Sequence, residues 1–167
     1  MPYVRHTQAV QFAELPTHVR DRLTEHAASR QIELSTVRVW ATRSENPPAS
    51  SGLGKLLRRR ANPADPDDEH STVVGLHPTQ ILVVTDGAKR GTAVLSLPLT
   101  QASVAPGNAI SAKLNLPPAD SAGFTITGFP GEQVGSYYVG LGPEPAAAEC
   151  FSAVRSAIAA AKNPPTG

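Results

Sequence analysis

Residues 75–105 read GLHPTQILVVTDGAKRGTAVLSLPLTQASVA, and the rhythm of this stretch decides the fold prediction. Short apolar runs alternate with turn signals: HPT precedes one run, and DG, a dipeptide typical of tight hairpins, follows it. Each run has the length of a β-strand rather than that of a helix. The strands predicted in and around this stretch are residues 71–77, 80–86, 92–99 and 101–105.

The patterns on either side extend the series of strands. Upstream, LSTVRVWATR alternates with a period of two and predicts a long strand over residues 33–43, which the prolines of ENPP end. Downstream, FTITGF and SYYVGLG predict strands over residues 124–129 and 136–142. The turn-rich connection before them is given one short extended piece at residues 112–116. The chain is therefore expected to contain about seven main strands.

Two helical patterns flank the strands. Near the N-terminus, apolar residues recur every four positions and predict a helix over residues 16–29; they are Leu15, Val19, Leu23 and Ala27. Near the C-terminus, PEPAAAECFSAVRSAIAAAK has apolar spacings of four, three and four, with prolines before it and NPP after it. This helix is expected to lie over an opening of the sheet and to bury Ala147, Phe151, Val154 and Ile158.

Composition places the chain among globular proteins and limits its partners. With 167 residues, of which 40% are hydrophobic and 17% charged, the chain suits one domain with its own core. A net charge of +1 gives no whole-molecule attraction to nucleic acid, so no nucleic-acid partner is expected. One cysteine excludes an intrachain disulfide, and no apolar run has the length of a membrane span. We expect a cytoplasmic protein that reaches membranes only peripherally, and its alanine, proline and arginine usage suggests a GC-rich bacterial genome.

The order of these elements resembles the pleckstrin-homology (PH) fold, and more particularly the bacterial PH-like domains. Residues 75–105 carry most of the resemblance, with a strand, the HPTQ turn, a strand, a basic hairpin and then the SLPL strand. The resemblance extends over about three-quarters of the chain, from residue 37 to residue 162. One departure is that eukaryotic members often carry a tryptophan in the closing helix, where this chain has Phe151; its sole tryptophan is Trp40.

The resemblance implies an α+β, mainly β fold. It consists of a curled antiparallel sheet or barrel of about seven strands, closed by the C-terminal helix, with the N-terminal helix as an addition. The implied organisation is a single domain over residues 1–167, with a PH-like core at about 33–162 and a long loop at 45–70. A different α+β sandwich with helices on one face is the alternative architecture.

The long loop carries a basic segment followed by an acidic one. A phosphate-binding P-loop is excluded because Ala49 and Leu56 stand where that motif needs a glycine and a hydroxyl residue. In lipid-binding PH domains, basic residues of the corresponding loop bind phosphorylated headgroups. The resemblance therefore implies an anion- or lipid-binding site at Lys55, Arg58, Arg59 and Arg60. Charge balance favours a solvated loop instead, because four acidic residues follow: Asp65, Asp67, Asp68 and Glu69.

No catalytic or metal-binding arrangement is predicted. The five histidines lack ligand spacing, Cys150 reads as a small helix residue, and no paired acid and base can be picked out, so no catalytic residue, metal or cofactor is assigned. Trp40 and Tyr138 are the candidate interaction surface. Burial is the favoured interpretation of Trp40, but an exposed tryptophan would mark a partner surface. The neighbouring rings of Tyr137 and Tyr138 should point to opposite faces, one buried and one exposed.

We therefore predict a non-catalytic binding or scaffold domain whose partner is another protein or a peptide. Such a domain should show an exposed apolar patch or a free strand edge. The first alternative is peripheral binding of an anionic membrane or phosphate headgroup through residues 53–60, which charge reversal of the arginines would abolish. The second alternative is an enzyme whose site the sequence spacing hides.

Overall fold

The computed structural model describes residues 3–48, 62, 64–108 and 122–164. Within them the chain forms eight β-strands and two α-helices. In chain order these are β1 (Val4–Val10), α1 (Thr17–Ser29), β2 (Arg38–Glu45), β3 (Glu69–Leu76), β4 (Gln80–Gly87), β5 (Gly91–Pro98), β6 (Ser103–Pro106), β7 (Gly123–Phe129), β8 (Gly135–Gly140) and α2 (Pro145–Lys162). Short 3₁₀ turns lie at Phe12–Glu14 and Leu99–Gln101.

The strands form two antiparallel sheets. Five strands make a meander in the order β1-β2-β3-β4-β5, and three make a second sheet in the order β6-β7-β8. The mixed, mainly β composition and the two predicted helices are confirmed. A closed barrel, one form of the predicted sheet, is not formed among the described residues, because no backbone ladder joins the two sheets there.

Strand β1 is an eighth strand that the sequence did not predict. It pairs with β2 along its whole length, from Val4 opposite Glu45 to Val10 opposite Val39. Only Thr7 of its residues is buried, so VRHTQAV lacks the apolar alternation by which strands are recognised. β2 also begins later than predicted, at Arg38 rather than residue 33, since the residues before it turn back from α1.

The five-stranded sheet is covered on both faces. On one face, here called the α1 face, the apolar stripe of α1 packs on alternate residues of the central strands, including Val39, Val73, Leu82 and Val84. On the other, here called the inner face, the intervening residues Trp40, Val74, Ile81 and Val83 pack against the second sheet and α2. The molecule therefore has three layers, and the predicted stripe of α1 is confirmed as core.

Helix α2 closes the inner face much as predicted, with one exchange of residues. Ala147, Val154 and Ile158 are buried, but Phe151 is only partly buried and stacks on the ring of Phe124, with 5.3 Å between ring centroids. Cys150 takes the fully buried position instead. Full burial of an aliphatic side chain such as Val154 contributes about 1.5–3 kcal/mol. Neither α2 nor α1, the helices of the described segments, is both long and apolar enough to cross a bilayer.

Candidate functional site

The carboxylate of Asp67 lies under the turn that joins β4 to β5. Its oxygens accept the backbone N–H of Lys89 at 2.7 Å, the backbone N–H of Arg90 at 3.2 Å and Arg90 Nε at 2.9 Å. A side chain at Gly87 would collide with this carboxylate, so the hairpin needs a glycine there. Asp67 therefore fixes the end of the β2–β3 connection, residues 46–68, onto the β4–β5 hairpin.

Asp65 extends this arrangement into what we call the polar cluster, comprising Tyr3, Asp65, Asp67, His70 and Arg90. Asp65 accepts hydrogen bonds from Tyr3 Oη at 2.6 Å, from the backbone N–H of Asp67 at 3.0 Å and from the guanidinium of Arg90. His70 Nδ1 lies 3.5 Å from Asp65 Oδ2, and the Tyr3 and His70 rings meet edge to face. The cluster thus brings together the N-terminal segment, the β2–β3 connection and the hairpin.

Burial and hydrogen bonding set the ionisation of the cluster. Burial alone would raise the pKa of Asp65, but hydrogen bonds from Tyr3, Asp67 and Arg90 outweigh it and lower the pKa below the usual value. Burial raises the pKa of Tyr3 to about 12, with the bond to Asp65 adding to the effect. Burial and the Arg90 charge lower the pKa of His70, so its ring is neutral at pH 7.

Acidic residues of the run 65–69 form ion pairs with arginines that lie outside the β2–β3 connection. Arg90 binds Asp65 and Asp67, and Arg43 of β2 binds Glu69 at 2.6 Å. These arginines offset part of the acidic charge that the sequence set against the basic segment. The interpretation of a solvated loop is wrong for Asp65 and Asp67, whose side chains are almost fully buried, while Ala64, Pro66 and Asp68 are exposed as that interpretation expects.

The same connection is clamped at a second point. The side chain of Asn46 donates from Nδ2 to the backbone carbonyl of Asn62 at 2.9 Å, and its Oδ1 accepts the Asn62 backbone N–H at 3.0 Å. The backbone N–H of Asn46 donates to the carbonyl of Asp68 at 2.8 Å. Asn46, directly after β2, and Asn62 are thus joined by side-chain hydrogen bonds within the β2–β3 connection.

The predicted site residues have different outcomes. Lys55, Arg58, Arg59 and Arg60 lie outside the described residues. Trp40 is 2% exposed and packs on the inner face, with the Arg38 guanidinium 4.9 Å from its ring; the favoured interpretation of Trp40 is confirmed and its exposed alternative is wrong. Tyr138 is half-buried, and its Oη donates to the carbonyl of Ala122 at 2.7 Å. Tyr137 is half-buried as well, so neither ring is fully buried and neither fully exposed.

The Cys150 thiol and the carboxylates of the polar cluster are the groups considered for reactivity, and their surroundings make both unreactive. Cys150 is fully buried, and burial raises the pKa of its thiol to about 12, so it remains protonated and is a weak nucleophile. Among the described residues, no three histidine, cysteine or acidic side chains converge as metal ligands. The carboxylates of the polar cluster are occupied by hydrogen bonds from Arg90 and Tyr3.

The outer edge of β5, the last strand of the five-stranded sheet, offers a binding surface. No strand among the described residues pairs with it there, and its sequence GTAVLSLP contains no charge. Its register with β4 continues from Gly91 to Pro98 without a bulge. Edge strands are normally protected by charges, bulges, prolines or covering elements. Here the single proline is the last residue, and Leu95 is 40% exposed beside the edge.

Alternation along β5 shows which backbone groups are free. The N–H of Leu99 donates to the carbonyl of Thr79 at 3.0 Å, so the backbone of residue 99 faces β4. Because the backbone groups of successive residues in a strand point to opposite sides, those of Pro98 point away from β4. The same holds for every second residue before Pro98, and proline, which has no N–H, is tolerated at such an outward position. By this alternation the backbone groups of Thr92, Val94 and Ser96 point away from β4, and outside the strand ladders they make no backbone–backbone hydrogen bond among the described residues.

The opposite edge of the sheet is protected. The N–H of Thr7 in β1 donates to Glu144 Oε2 at 2.9 Å, and the N–H of Gly142 donates to Thr7 Oγ1 at 2.8 Å. His6 Nδ1 also bonds Glu144 Oε1 at 2.9 Å. The residues at the start of α2 therefore lie beside β1, and Glu144 occupies the Thr7 N–H, a backbone group to which a further strand could pair.

A cleft of about 240 Å³ runs between the free edge of β5 and helix α1. Val94 forms its floor, and one flank of α1 forms its wall with Arg22, Glu25, His26 and Ser29. Arg22 and Glu25 pair at 3.2 Å and are mostly exposed, while His26 Nε2 bonds Ser96 Oγ at 2.7 Å. The edge and the cleft are adjacent, so a partner that pairs with β5 would also meet this flank.

No protein-family model matches the chain, and no curated protein matches its sequence. The fold and the surfaces described above are therefore the basis for assigning a function.

Proposed function

We propose that this chain is a non-catalytic protein-interaction domain that binds an extended segment of a partner as an added strand on β5. Main-chain hydrogen bonds to the edge would supply affinity, and side chains on alternate sides of the added strand would supply selectivity. The single observation that carries the proposal is the unprotected edge: eight residues without charge, bulge or internal proline, with the backbone groups of Thr92, Val94 and Ser96 directed outward.

The difference between the two edges of the sheet supports this proposal. Both are long antiparallel strands with one large apolar side chain partly exposed, Val4 at 45% on β1 and Leu95 at 40% on β5. Within the part of the chain that the structure describes, β1 is protected by Glu144 and the start of α2, and no comparable element covers β5. An unprotected edge strand pairs readily with strands of other chains, and proteins normally prevent this. The unprotected edge of β5 is therefore explained if β5 functions by pairing with a partner strand.

The order of elements also supports a PH-like architecture for this domain. Four antiparallel strands β2–β5, three strands β6–β8 and a closing helix α2 follow the order of the PH fold. We assign β1 and α1 as additions that widen the first sheet and cover its outer face. PH-like domains serve widely as binding modules, which agrees with the proposed role.

The test is a selection of random peptides displayed on phage against the purified chain. Peptides that bind should slow amide exchange at Thr92, Val94 and Ser96. Leu95→Lys, which places a charge beside the edge, should weaken binding by about tenfold or more. The matched control is Val4→Lys, a lysine on the protected edge, which should leave binding unchanged. Binding that ignores Leu95→Lys, or slow exchange at these amides in the monomer without peptide, would overturn the proposal.

Binding of an anionic membrane or phosphate headgroup through Lys55, Arg58, Arg59 and Arg60 is the second candidate. It is favoured by one observation: Arg43 and Arg90 offset part of the acidic charge that would repel such a surface. Sedimentation with vesicles of phosphatidylserine and phosphatidylcholine tests it. Binding that is lost on reversing the three arginine charges supports this candidate, and protein that ignores such vesicles eliminates it.

A further inference from the structure

We propose that the partner strand is β5 of a second copy of this chain, paired antiparallel about a two-fold axis at Val94. This inference rests on the proposed function, because it names the occupant of the same edge. A symmetric dimer requires that one surface complement itself, so that residue i of one copy meets residue j of the other and the reverse. The edge of β5 and the neighbouring flank of α1 both meet this requirement.

The backbone register follows from the outward residues. An antiparallel hydrogen-bonded pair forms between residues whose backbone groups both face the partner. Centring the pair on Val94 places Thr92 opposite Ser96 of the second copy, and the reverse. Every outward backbone group from residue 92 to residue 96 then gains a partner. Pro98, which has no N–H to donate, lies just beyond the paired segment and limits it.

The side chains are compatible in this register. On the α1 face, Val94 meets its own copy, and Thr92 meets Ser96. Both hydroxyls have hydrogen-bond partners in their own chain, Asp86 for Thr92 and His26 for Ser96, so neither is left unsatisfied in this register. On the inner face, Ala93 of one copy lies opposite Leu95 of the other, so the exposed Leu95 gains apolar contact. No like charges meet along the strands, because β5 has none.

The flank of α1 adds self-complementary charge. Val94 lies in the cleft beside Arg22, Glu25, His26 and Ser29, so a two-fold axis through Val94 brings this flank towards its copy. The rotation reverses the helix direction, which sets Arg22 of one copy towards Glu25 of the other. Both side chains are more than half exposed and therefore free to exchange their pairing. In the dimer each arginine exchanges the glutamate of its own chain for that of the second copy, so this flank presents opposite charges to itself without repulsion.

The protected edge at β1 makes the assembly closed. Since Glu144 and α2 occupy the other side of the sheet, pairing through β5 uses the only free edge that the described residues give this sheet. The product is a dimer with one continuous ten-stranded sheet, two five-stranded sheets joined edge to edge. It is not an open-ended fibre.

Disulfide cross-linking of the full chain tests the register. The native Cys150 is buried, so Val94→Cys introduces the one accessible thiol among the described residues. Cα atoms of directly opposite residues lie about 5.5 Å apart, within the range of a disulfide. Mild oxidation should convert most of Val94→Cys to a dimer of twice the 17.5 kDa chain mass. The matched control Thr92→Cys should give less than about a tenth of that yield, because its copy lies four residues away. Equal yields would overturn the register.

A charge swap tests the contribution of α1. Arg22→Glu or Glu25→Arg alone places like charges across the axis and should weaken dimerisation by about threefold to tenfold in sedimentation velocity. The double variant Arg22→Glu with Glu25→Arg restores both pairs and should recover the wild-type dissociation constant. Failure of the double variant to recover dimerisation would overturn the placement of the two flanks.

Failure of this inference differs from failure of the proposed function. A chain that stays monomeric up to about 300 µM, but whose β5 amides exchange fast and become protected by a displayed peptide, overturns the homodimer and retains strand addition. A monomer whose β5 amides are protected without any ligand overturns both. A dimer that Leu95→Lys dissociates and Val4→Lys does not supports both.

Discussion

At the scale of single residues, the guanidinium of Arg90 connects parts of the chain that are far apart in sequence. It binds Asp65 and Asp67 at the end of the β2–β3 connection, and Asp65 in turn binds Tyr3 near the N-terminus. Arg90 therefore supplies the positive charge of the polar cluster. Without it, the two buried carboxylates would have no counter-charge within the cluster.

Replacing this charge should destabilise the fold. Arg90→Gln leaves both carboxylates without their counter-charge, and because Arg90 is partly exposed to water we expect a loss of about 2 kcal/mol rather than the larger cost of a fully buried pair. Urea unfolding measures the change. The control Glu149→Gln removes the exposed pair that Glu149 forms with Arg38 and should cost less than about 0.5 kcal/mol. Equal costs would contradict the role given to Arg90.

At the scale of elements, strong apolar periodicity was enough to predict most of the fold. The predicted strands at residues 71–77, 80–86 and 92–99 agree with β3, β4 and β5 to within two residues. β3 and β4 bury side chains on both faces of the sheet, and β5 buries Leu97 on the inner face. The predicted helix at residues 16–29 corresponds to α1, which begins one residue later, at Thr17. The predicted piece at residues 112–116 lies outside the described residues.

The elements and contacts that the sequence did not predict depend on pairing rather than on burial. β1 is polar and is held by its ladder with β2, so its own residues give no periodic signal. The contact of Asp67 with Arg90 joins residues 23 positions apart, and no local spacing indicates it. The absence of charge in β5 is visible in the sequence, but it becomes informative only when the sheet order makes β5 an edge.

Packing of α2 on the inner face leads to a prediction for that element. Val154 is fully buried beneath the helix, so Val154→Ala should lower the free energy of unfolding by about 2 kcal/mol through lost burial and the cavity left behind. Ser156→Ala on the exposed side of the same helix should change it by less than about 0.5 kcal/mol. Thermal unfolding followed by circular dichroism compares the two. A Val154→Ala protein as stable as Ser156→Ala would show that α2 is not packed as described.

At the scale of the whole molecule, the three-layer arrangement gives the five-stranded sheet two separate apolar contacts. Along each central strand, successive residues belong alternately to the two cores, as Ile81 and Leu82 illustrate. Loss of either covering layer would expose a continuous apolar face. The stability of the fold therefore depends on the N-terminal helix as well as on the C-terminal one.

The stability of the whole molecule should fall as the pH drops below about 6.5. Burial lowers the pKa of both His70 and His26 below 6.5 in the folded chain, so the unfolded chain takes up these protons first. Their contribution is present above the unfolded pKa and is lost as the pH falls through the folded values. Around His70 the charged neighbours are Arg5, Asp65, Asp67 and Arg90. Urea unfolding from pH 7.5 to 5.5, at fixed protein concentration, should show a shallower loss in His70→Gln than in wild type. Equal slopes would contradict the assignment.

The clamp between Asn46 and Asn62 has a consequence for how this chain tolerates changes in length. Hydrogen bonds join Asn46 to Asn62 and to Asp68, so the two ends of the segment between the asparagines are held close together. The described part of the fold requires of this segment that it connect these two ends. An inserted glycine- and serine-rich linker is itself a flexible chain, and each doubling of the length of such a loop between fixed ends costs only about 0.6 kcal/mol. This position is therefore where a reporter domain or a longer natural insertion could enter the protein while both cores and the free edge of β5 stay as they are.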